Sequence, residues 1–299
     1  CDGRVWSIFN MFDHEGMQQY LPYIMGDMTS PSMPLYIVPT RQLTVRDVKN
    51  AMRDHYEGTP LEVKGTIGGG IWEMPYQPTP LSFEVDGKKY FTERPISTQQ
   101  TGFTYVSQMR SWLPREIGGC MWWGNDDGNM VAYTPIYCGN TELPECYNTP
   151  GADDVTFSDK NAFWVCNWVS NMVYPRYSQL FPELKNYRDS LENSYFAQQG
   201  GVEEKAKELY VQSPAEAIKY VNEYSNKQAQ QMLSTWKDLA VRLIVRYNDM
   251  AVKKMKDGKY LKTKYGLIEP VERPGYSKDY ARKMIQLSKK DMQQPVEKE

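Results

Sequence analysis

The pattern of apolar and polar positions divides the chain into two parts. Residues 1–157 are rich in Pro, Gly and aromatic side chains, and their periodic segments are short, which predicts strands and loops. After Ser158, prolines become rare and apolar residues recur every three to four positions, which predicts helices. We therefore predict an α+β protein in which a sheet-rich part, residues 1–157, carries an α-helical region, residues 158–299, packed on it.

The strand signals lie in the first part. The clearest one is the segment 81–91, where two alternating runs are joined by Asp86-Gly87, a pair that tolerates the positive φ angles of a type I′ turn. Four further segments are apolar or alternating and are bounded by turn residues: 35–38, 101–109, 119–123 and 130–137. Together these segments predict a β-hairpin and one mostly antiparallel sheet.

Two helices are predicted among these strands. An amphipathic helix is expected over residues 5–12. A second helix begins after Thr44, which has Asp47 three residues later as in a capping box, and its apolar positions continue to Tyr56 before Gly58. We expect this second helix to lie on the sheet.

Helices dominate the second part. A buried helix is predicted over 161–180 with a bend near Pro175, followed by helical segments at 184–196 and 202–210. The order Ser213-Pro214-Ala215-Glu216 places an N-cap, a first-turn proline and a capping glutamate at the start of a long helix. This helix is predicted to reach about Lys256, to end at Asp257-Gly258 and to pack against 161–180. A last helix is expected to begin at Ser277.

Charge and hydropathy exclude two classes of protein. Among the 299 residues, 35 Lys and Arg stand against 37 Asp and Glu, and this near balance lacks the basic excess of a general nucleic-acid binder. No run approaches the roughly 18 to 20 apolar residues that span a bilayer. We therefore predict neither a nucleic-acid partner nor a transmembrane segment.

The sequence gives only weak indications of a metal site or a disulfide. The five cysteines form no C-x-x-C pair and only two histidines are present, so no metal site is predicted. Cys138 and Cys146 flank a turn-rich segment and are either a disulfide or two unpaired small apolar residues. The run Asn125-Asp126-Asp127-Gly128-Asn129 has the composition of a calcium loop but no Glu at the twelfth position, so a polar hairpin loop is favoured.

Two single residues and one aromatic stripe invite a functional interpretation. Cys1, if it is a true processed N-terminus, carries its own base, because its α-amine has a pKa near 7.7 to 8.0 and can take up the thiol proton. His55 is either catalytic or, as we favour, a histidine that interacts with a helix C-terminus. The stripe from Phe163 through Trp164 and Trp168 to Tyr174 is expected to face the core, although exposed rings would also suit a peptide- or sugar-binding face.

Four ordered blocks together resemble a known family. They are RVWSIF at 4–9, MRDHYEGTP at 52–60, ERPISTQQTGF at 93–103 and AFWVCNWVSN at 162–171. The chain resembles, over nearly all its length, the C-terminal portion of the cysteine dipeptidases, which are N-terminal nucleophile (Ntn) hydrolases distantly related to choloylglycine hydrolases and penicillin acylases. The resemblance implies an αββα sandwich, hydrolysis of dipeptides by an N-terminal cysteine, and no metal or organic cofactor.

The resemblance also bears on the site and its partners. Mature chains of the family begin with a Cys-Thr motif followed by an Asp-Gly-Ser segment, and neither accompanies Cys1, so the nucleophile is expected upstream in a missing N-terminal segment of the same protein. By this resemblance, Arg4 lies at the position where choloylglycine hydrolases have an active-site arginine. The alternative, given equal weight, is a structural arginine held by a local carboxylate such as that of Asp2. The resemblance to this family also favours a periplasmic or secreted location and is compatible with a homo-oligomer. The rival function is a non-catalytic peptide- or glycan-binding scaffold.

Overall fold

A computed structural model describes residues 2–288. Its α-helices are α1 (Asp2–Phe12), α2 (His14–Met17), α3 (Leu21–Ile24), α4 (Val45–Ala51), α5 (Arg115–Gly118), α6 (Ala162–Val173), α7 (Tyr177–Gln212), α8 (Pro214–Tyr247) and α9 (Lys278–Leu287). Its strands are β1 (Ser82–Val85), β2 (Lys88–Phe91), β3 (Phe103–Met109), β4 (Gly119–Asn125), β5 (Thr134–Tyr137), β6 (Met255–Lys256) and β7 (Lys259–Tyr260). The mixture of helices with antiparallel strands confirms the predicted α+β class.

The strands form one three-stranded sheet and two hairpins. The sheet has the order β3-β4-β5 with both pairs antiparallel, and Val106 lies opposite Trp122 in its register. The predicted strand at 119–123 is confirmed, and the one at 101–109 begins at Phe103. The hairpin at 81–91 is confirmed as a separate unit, with φ of 51° at Asp86 and 72° at Gly87, as its turn requires.

Two strand predictions need correction. Residues 35–38 form no strand: Leu35 is 94% exposed, and the segment lies between Pro34 and Pro39, which lack the N–H group that a strand ladder needs. The strand expected at 130–137 begins only at Thr134. It is an edge strand and contains Pro135, as edge strands tolerate.

The capping signal at Thr44 is confirmed. The Thr44 hydroxyl accepts from the backbone N–H of Asp47 at 3.3 Å, and the Asp47 carboxylate accepts from the N–H of Thr44 at 2.7 Å. The helix is shorter than predicted, since α4 ends at Ala51 and the chain then turns inward to Tyr56, which has φ of 68°. The helix predicted at 5–12 is confirmed as α1.

The second part contains fewer and longer helices than predicted. The bend near Pro175 is confirmed as a 3₁₀ turn, Tyr174–Arg176, between α6 and α7. The two segments at 184–196 and 202–210 belong to the single helix α7, which continues through Gly200-Gly201. Helix α7 packs along α8, and that contact outweighs the roughly 1 kcal/mol that each glycine costs in a helix.

The longest predicted helix, expected to run from Ser213 to about Lys256, corresponds to α8 and needs correction. It begins at Pro214 as expected, but Ser213 makes no side-chain cap, and the helix ends at Tyr247 rather than near Lys256. Asp249 and Met250, both with φ of 56°, turn the chain out of the helix. Asp257-Gly258 is the turn of the β6–β7 hairpin instead of a helix stop. The predicted packing of α8 against α6 is confirmed, as is the helix that follows Ser277.

One large core joins the sheet to the helices. It contains Trp122 and Tyr133 from the sheet region together with Leu184 of α7 and Trp236 of α8. A smaller cluster around Trp6 and Met17 holds α1 to α3 together. Among residues 2–288, none of the helices combines the length and apolar character that crossing a lipid bilayer requires.

Candidate functional site

The connection between β4 and β5 is buried, which corrects the expectation of a polar hairpin loop. Asp126 and Asp127 both have 0% exposure, and Asn129 has 5%. The Asp126 backbone has φ of 80°, a left-handed conformation that is uncommon for a residue other than glycine, and its N–H donates to the carbonyl of Gly102 at 2.8 Å. Buried carboxylates on a strained backbone are features that cluster at functional sites.

Asp127 accepts hydrogen bonds from two hydroxyl groups on different elements. Ser97 donates to one carboxylate oxygen, and Tyr174, at the end of α6, donates to the other. The backbone N–H of Asn129 donates to the same oxygen as Ser97 at 3.2 Å. Burial raises the pKa of Tyr174 well above its ordinary value and the Asp127 charge raises it further, so Tyr174 remains a neutral hydrogen-bond donor.

Asp126 points to the other side and contacts α6. The Asn167 side-chain amide donates to Oδ1 at 2.9 Å, and the Ser170 hydroxyl donates to Oδ2. Burial raises the pKa of Asp126 to about 7, even though these two hydrogen bonds favour the ionised form. One carboxylate of the pair therefore changes its charge near neutral pH.

His55 lies beside this pair and not at a helix end. It is 1% exposed, its Nδ1 lies 3.1 Å from Oε1 of Glu57, and its Nε2 lies 3.5 Å from the Tyr174 hydroxyl. Since α4 ends at Ala51, the predicted interaction of His55 with the helix dipole is wrong. Burial raises the pKa of Glu57, but the hydrogen bonds from His55 outweigh it and leave the pKa below its ordinary value.

The four blocks that carry the family resemblance converge here. Ser7 of the first block hydrogen-bonds Asp54 of the second, and the Asp54 carbonyl accepts from the N–H of Ser97 in the third at 3.2 Å. Gln99 of the third block donates to Asn171 of the fourth at 3.2 Å. Each block therefore bonds to at least one other, and three of them contribute side chains around the Asp126–Asp127 pair. We call this set the aspartate cluster: Asp126, Asp127, Ser97, Asn129, Asn167, Ser170, Tyr174 and His55.

Of the two predicted site residues, one lies in the described region. Arg4 lies in α1 and is partly buried. Burial raises the pKa of Tyr56, and the nearby positive charge of Arg4 offsets part of this rise. The Tyr56 hydroxyl donates to the carbonyl of Arg94 at 2.8 Å, at the start of the third block. Arg4 therefore lies near the segments that build the aspartate cluster. Cys1 lies outside the described residues.

A groove opens next to the aspartate cluster, and the prediction that the aromatic stripe faces the core needs correction. Trp168 is 43% exposed, and Phe163 and Trp164 are only partly buried, whereas Tyr174 alone of the stripe is fully buried. Phe157, Trp164, Asn167 and Trp168 line an open, mainly apolar cavity of about 610 Å³. Asn167 therefore contacts both this groove and Asp126.

The four described cysteines are free thiols, so Cys138 and Cys146 form no disulfide in this structure. Cys120, Cys146 and Cys166 are buried, and burial raises the pKa of Cys120 and Cys146 to about 12 and that of Cys166 well above its ordinary value. Thiols in this state make poor nucleophiles. Cys138 is exposed at the end of β5. Among residues 2–288, no group of three or more His, Cys, Asp or Glu side chains is arranged to hold a metal ion.

Sequence reasoning missed the centre of the site. The sequence pattern predicts a polar hairpin loop at Asp126 and Asp127 and no polar role for Ser97 or Tyr174. One signal was available, because two adjacent aspartates followed a strongly apolar strand, GCMWWG. Charged residues directly after a buried strand can be buried with it, and partners far along the chain decide whether they are.

Comparison with known proteins agrees with the four blocks. The model of peptidase family C69 matches residues 1–190, and the chain belongs to this family. This confirms the resemblance to the cysteine dipeptidases, although the family match ends within α7 instead of covering nearly the whole chain.

Individual relatives are distant. Dipeptidase A of Lactobacillus helveticus is 26% identical over 195 residues, which are 65% of this chain and 34% of the relative. Probable dipeptidase A of Streptococcus pyogenes serotype M1 is 27% identical over 172 residues, 57% of this chain and 32% of the relative. Probable dipeptidase B of the same organism is 22% identical over 208 residues, 68% of this chain and 39% of the relative. These alignments span about a third of the length of the relatives.

Proposed function

We propose that this protein is a cysteine-type dipeptidase that hydrolyses the amide bond of small peptides. The observation that carries the proposal is that three of the four family blocks contribute side chains around the buried pair Asp126–Asp127, while the first block bonds to the second. Membership of peptidase family C69 and the names of the relatives, dipeptidase A and probable dipeptidase B, support the same activity.

In the proposed reaction a cysteine thiolate attacks the carbonyl carbon of the dipeptide. The C–N bond then breaks, the amine leaves with a proton, and water hydrolyses the acyl-enzyme to release the acid and regenerate the thiol. The side-chain amide of Asn167 lines the groove and donates one N–H to Asp126, so its second N–H is the proposed donor for the oxyanion. Asp127, through its bonds to Ser97 and Tyr174, is a positioning residue for the walls of this site.

The proposed nucleophile is not one of the four described cysteines. Three of them are buried with raised pKa values, and Cys138 lies outside the aspartate cluster. The remaining assignments are Cys1, if its α-amine is free, or a cysteine of an N-terminal segment of the same protein. In either case Arg4 is proposed to hold the thiolate anionic or to bind the substrate carboxylate through its guanidinium fork.

We further propose that the β3-β4-β5 sheet is one layer of an αββα sandwich. Val106 and Trp122 on one face are buried in the large core, whereas Phe103, Tyr105 and Trp123 form a stack on the other face. Phe103 is 56% exposed and Tyr105 50%, an apolar sheet face that a second sheet would cover. The proposed division between a sheet-rich part, 1–157, and a helical region, 158–299, belongs to the same hypothesis.

A peptide-binding scaffold is the second candidate function. The exposed groove formed by Phe157, Trp164 and Trp168 favours it, because open aromatic surfaces suit peptide or sugar ligands. It predicts ligand binding without turnover.

The test compares two proteins, the full-length gene product and residues 1–299 alone, in hydrolysis of a dipeptide panel. We expect the full-length product to hydrolyse dipeptides and to lose activity after treatment with iodoacetamide. If the nucleophile lies upstream, residues 1–299 alone are inactive; turnover by them that disappears in Cys1→Ser would instead assign the nucleophile to Cys1. Dipeptide binding without hydrolysis by either protein would reject the enzyme and support the scaffold.

The contribution of the aspartate cluster is tested with Asp127→Asn in the full-length product. The asparagine cannot accept from both Ser97 and Tyr174 as the carboxylate does, so we expect kcat/KM to fall about 10- to 100-fold. Asp257→Asn, in the remote β6–β7 turn, is the matched control and should keep full activity. Equal activity of the two variants would remove the cluster from the proposal.

A further inference from the structure

A second cavity, lined by charged and polar side chains, lies between α4 and α7, on the other side of the loop that carries Asp127. Its volume is about 370 Å³, within the range of small-molecule sites. Two carboxylates line it, those of Asp189 and Glu192. Five cationic side chains line it as well: Arg46, Lys49, Arg53, Lys185 and Arg188. We call this cavity the cationic pocket.

The two carboxylates of the cationic pocket are already paired. Glu192 lies 2.6 Å from Arg53 and 3.8 Å from Lys49, and Asp189 pairs with Arg188 at 2.9 Å and with Lys185. Cations therefore exceed carboxylates by three when all are ionised. A concave surface with this excess concentrates positive potential and attracts anions.

Two of the cations lack a hydrogen-bonding acceptor. The Lys49 ammonium is 1% exposed and has no hydrogen-bond partner among residues 2–288; it lies 3.8 Å from the Trp122 ring centroid. The Arg46 guanidinium lies 4.3 Å from the Phe196 ring centroid and makes no ion pair within the described chain. A buried ammonium without an acceptor is costly, and an anion in the pocket would satisfy it.

The pocket is also connected to the aspartate cluster. Arg53 donates to the carbonyl of Gly128 at 2.8 Å, and Arg188 donates to the carbonyl and side-chain oxygens of Asn129 at 2.8 and 2.9 Å. The loop of Asp126 and Asp127 therefore has the cluster on one side and two pocket arginines on the other. An occupant that contacts Arg188 would act on the same loop.

We propose that the cationic pocket binds a small oxyanion with two or more negative charges, either inorganic phosphate or a phosphate monoester. The positive excess of the pocket is complementary in sign to such a ligand, which carries about −1.5 to −2 charges near pH 7, and arginine forks bind phosphate oxygens bidentately. Lys49, whose buried ammonium has an ion pair but no hydrogen-bond acceptor, lies at the closed end of the site, and the exposed Arg46 lies at its mouth. This assignment does not depend on the proposed dipeptidase activity.

The test is a calorimetric titration of the protein with sodium phosphate at fixed ionic strength, repeated with glycerol phosphate and with succinate. We expect saturable binding of phosphate with a one-to-one stoichiometry and loss of at least 10-fold in affinity in Arg46→Glu. Arg115→Glu, an exposed arginine on α5 outside the pocket, is the matched control and should bind as the unchanged protein does.

The outcomes separate the sources of the anion. Tighter binding of glycerol phosphate than of phosphate identifies a monoester ligand, and the reverse order identifies free phosphate. Binding of succinate without binding of phosphate overturns the assignment to phosphate chemistry. Heats that do not saturate, or equal affinity in Arg46→Glu and Arg115→Glu, overturn the site itself. Since Arg46 is exposed, its substitution is not expected to prevent folding.

Discussion

Arg53 and Glu192, 139 residues apart, form a buried bidentate ion pair with N–O distances of 2.6 and 3.3 Å. Arg53 lies in a block of the matched family region, whereas Glu192 lies just beyond the end of that region on α7. The same carboxylate accepts from the backbone N–H of Tyr133 at 2.8 Å. This pair therefore fixes the long helix to the segment that carries His55 and to the chain leading into β5.

Glu192→Gln should destabilise the protein strongly. It leaves Arg53 and Lys49 buried without a counter-charge, and removing one member of a buried pair costs about 3 to 5 kcal/mol. The free energy of unfolding in urea measures the effect. Glu204→Gln, an exposed position on the same helix, is the control and should change it by less than about 0.5 kcal/mol. A loss below about 1 kcal/mol in Glu192→Gln would show that the pair is not essential to the fold.

Asp126→Asn should change how stability depends on pH. Because the folded protein raises the pKa of Asp126 from 3.8 to about 7, the folded state holds this proton more tightly between about pH 4 and 7. The stabilising contribution of the protonated group is complete below pH 4 and is lost as the pH rises to about 7. Asparagine does not ionise, so the variant should gain stability relative to the unchanged protein over that window, by at most about 4 kcal/mol.

The measurement for Asp126→Asn is the free energy of unfolding at several pH values between 4 and 8. The Asn167 amide can still donate to the new side chain, and the Ser170 hydroxyl can accept from it, so the fold should be retained. Asp257→Asn, the same substitution in the exposed turn between β6 and β7, serves as the control. A constant difference between Asp126→Asn and the unchanged protein at all pH values would contradict a raised pKa.

Arg4→Ala tests the proposed catalytic role in the full-length product. If Arg4 contacts the thiolate or the substrate, kcat/KM should fall by about two to three orders of magnitude, roughly 3 to 4 kcal/mol, with little change in melting temperature. Arg282→Ala, on the exposed helix α9, should leave both quantities unchanged. Lower stability and yield of Arg4→Ala with normal kinetics for the folded fraction would make Arg4 structural.

The thiols should differ sharply in reactivity. Of the four described cysteines only Cys138 is exposed, so brief iodoacetamide treatment of the native protein should label Cys138 and leave the other three unmodified. Peptide mass mapping identifies the labelled positions, and unfolding in urea should expose Cys120, Cys146 and Cys166. If Cys138 were protected until a reductant was added, a disulfide would be present and the free-thiol arrangement would be wrong.

Local signals in the sequence predicted local structure well. The Thr44 capping box, the Asp86-Gly87 hairpin and the proline at the start of α8 all depend on residues within a few positions of one another, and the structure contains all three. For the same Asp-Gly pair at 257–258 the sequence predicts a helix end, because apolar residues continue at helical spacing beyond Asn248, where α8 ends. Element boundaries depend on what the ends contact, and those contacts are not local.

The family could also be predicted from the sequence, because its four blocks are contiguous strings whose order is visible without a structure. The place where these blocks meet in the folded protein could not be predicted from the sequence. Ser97 and Asp127 are 30 residues apart and Tyr174 and Asp127 are 47 apart, and no short-range pattern links such positions. Charge alone places two adjacent aspartates in solvent, since an isolated ionised carboxylate is costly to bury. Donors on two distant segments, the one around Ser97 and helix α6 with its C-terminal turn, offset part of that cost at Asp126 and Asp127, and only the tertiary structure brings those donors to the loop.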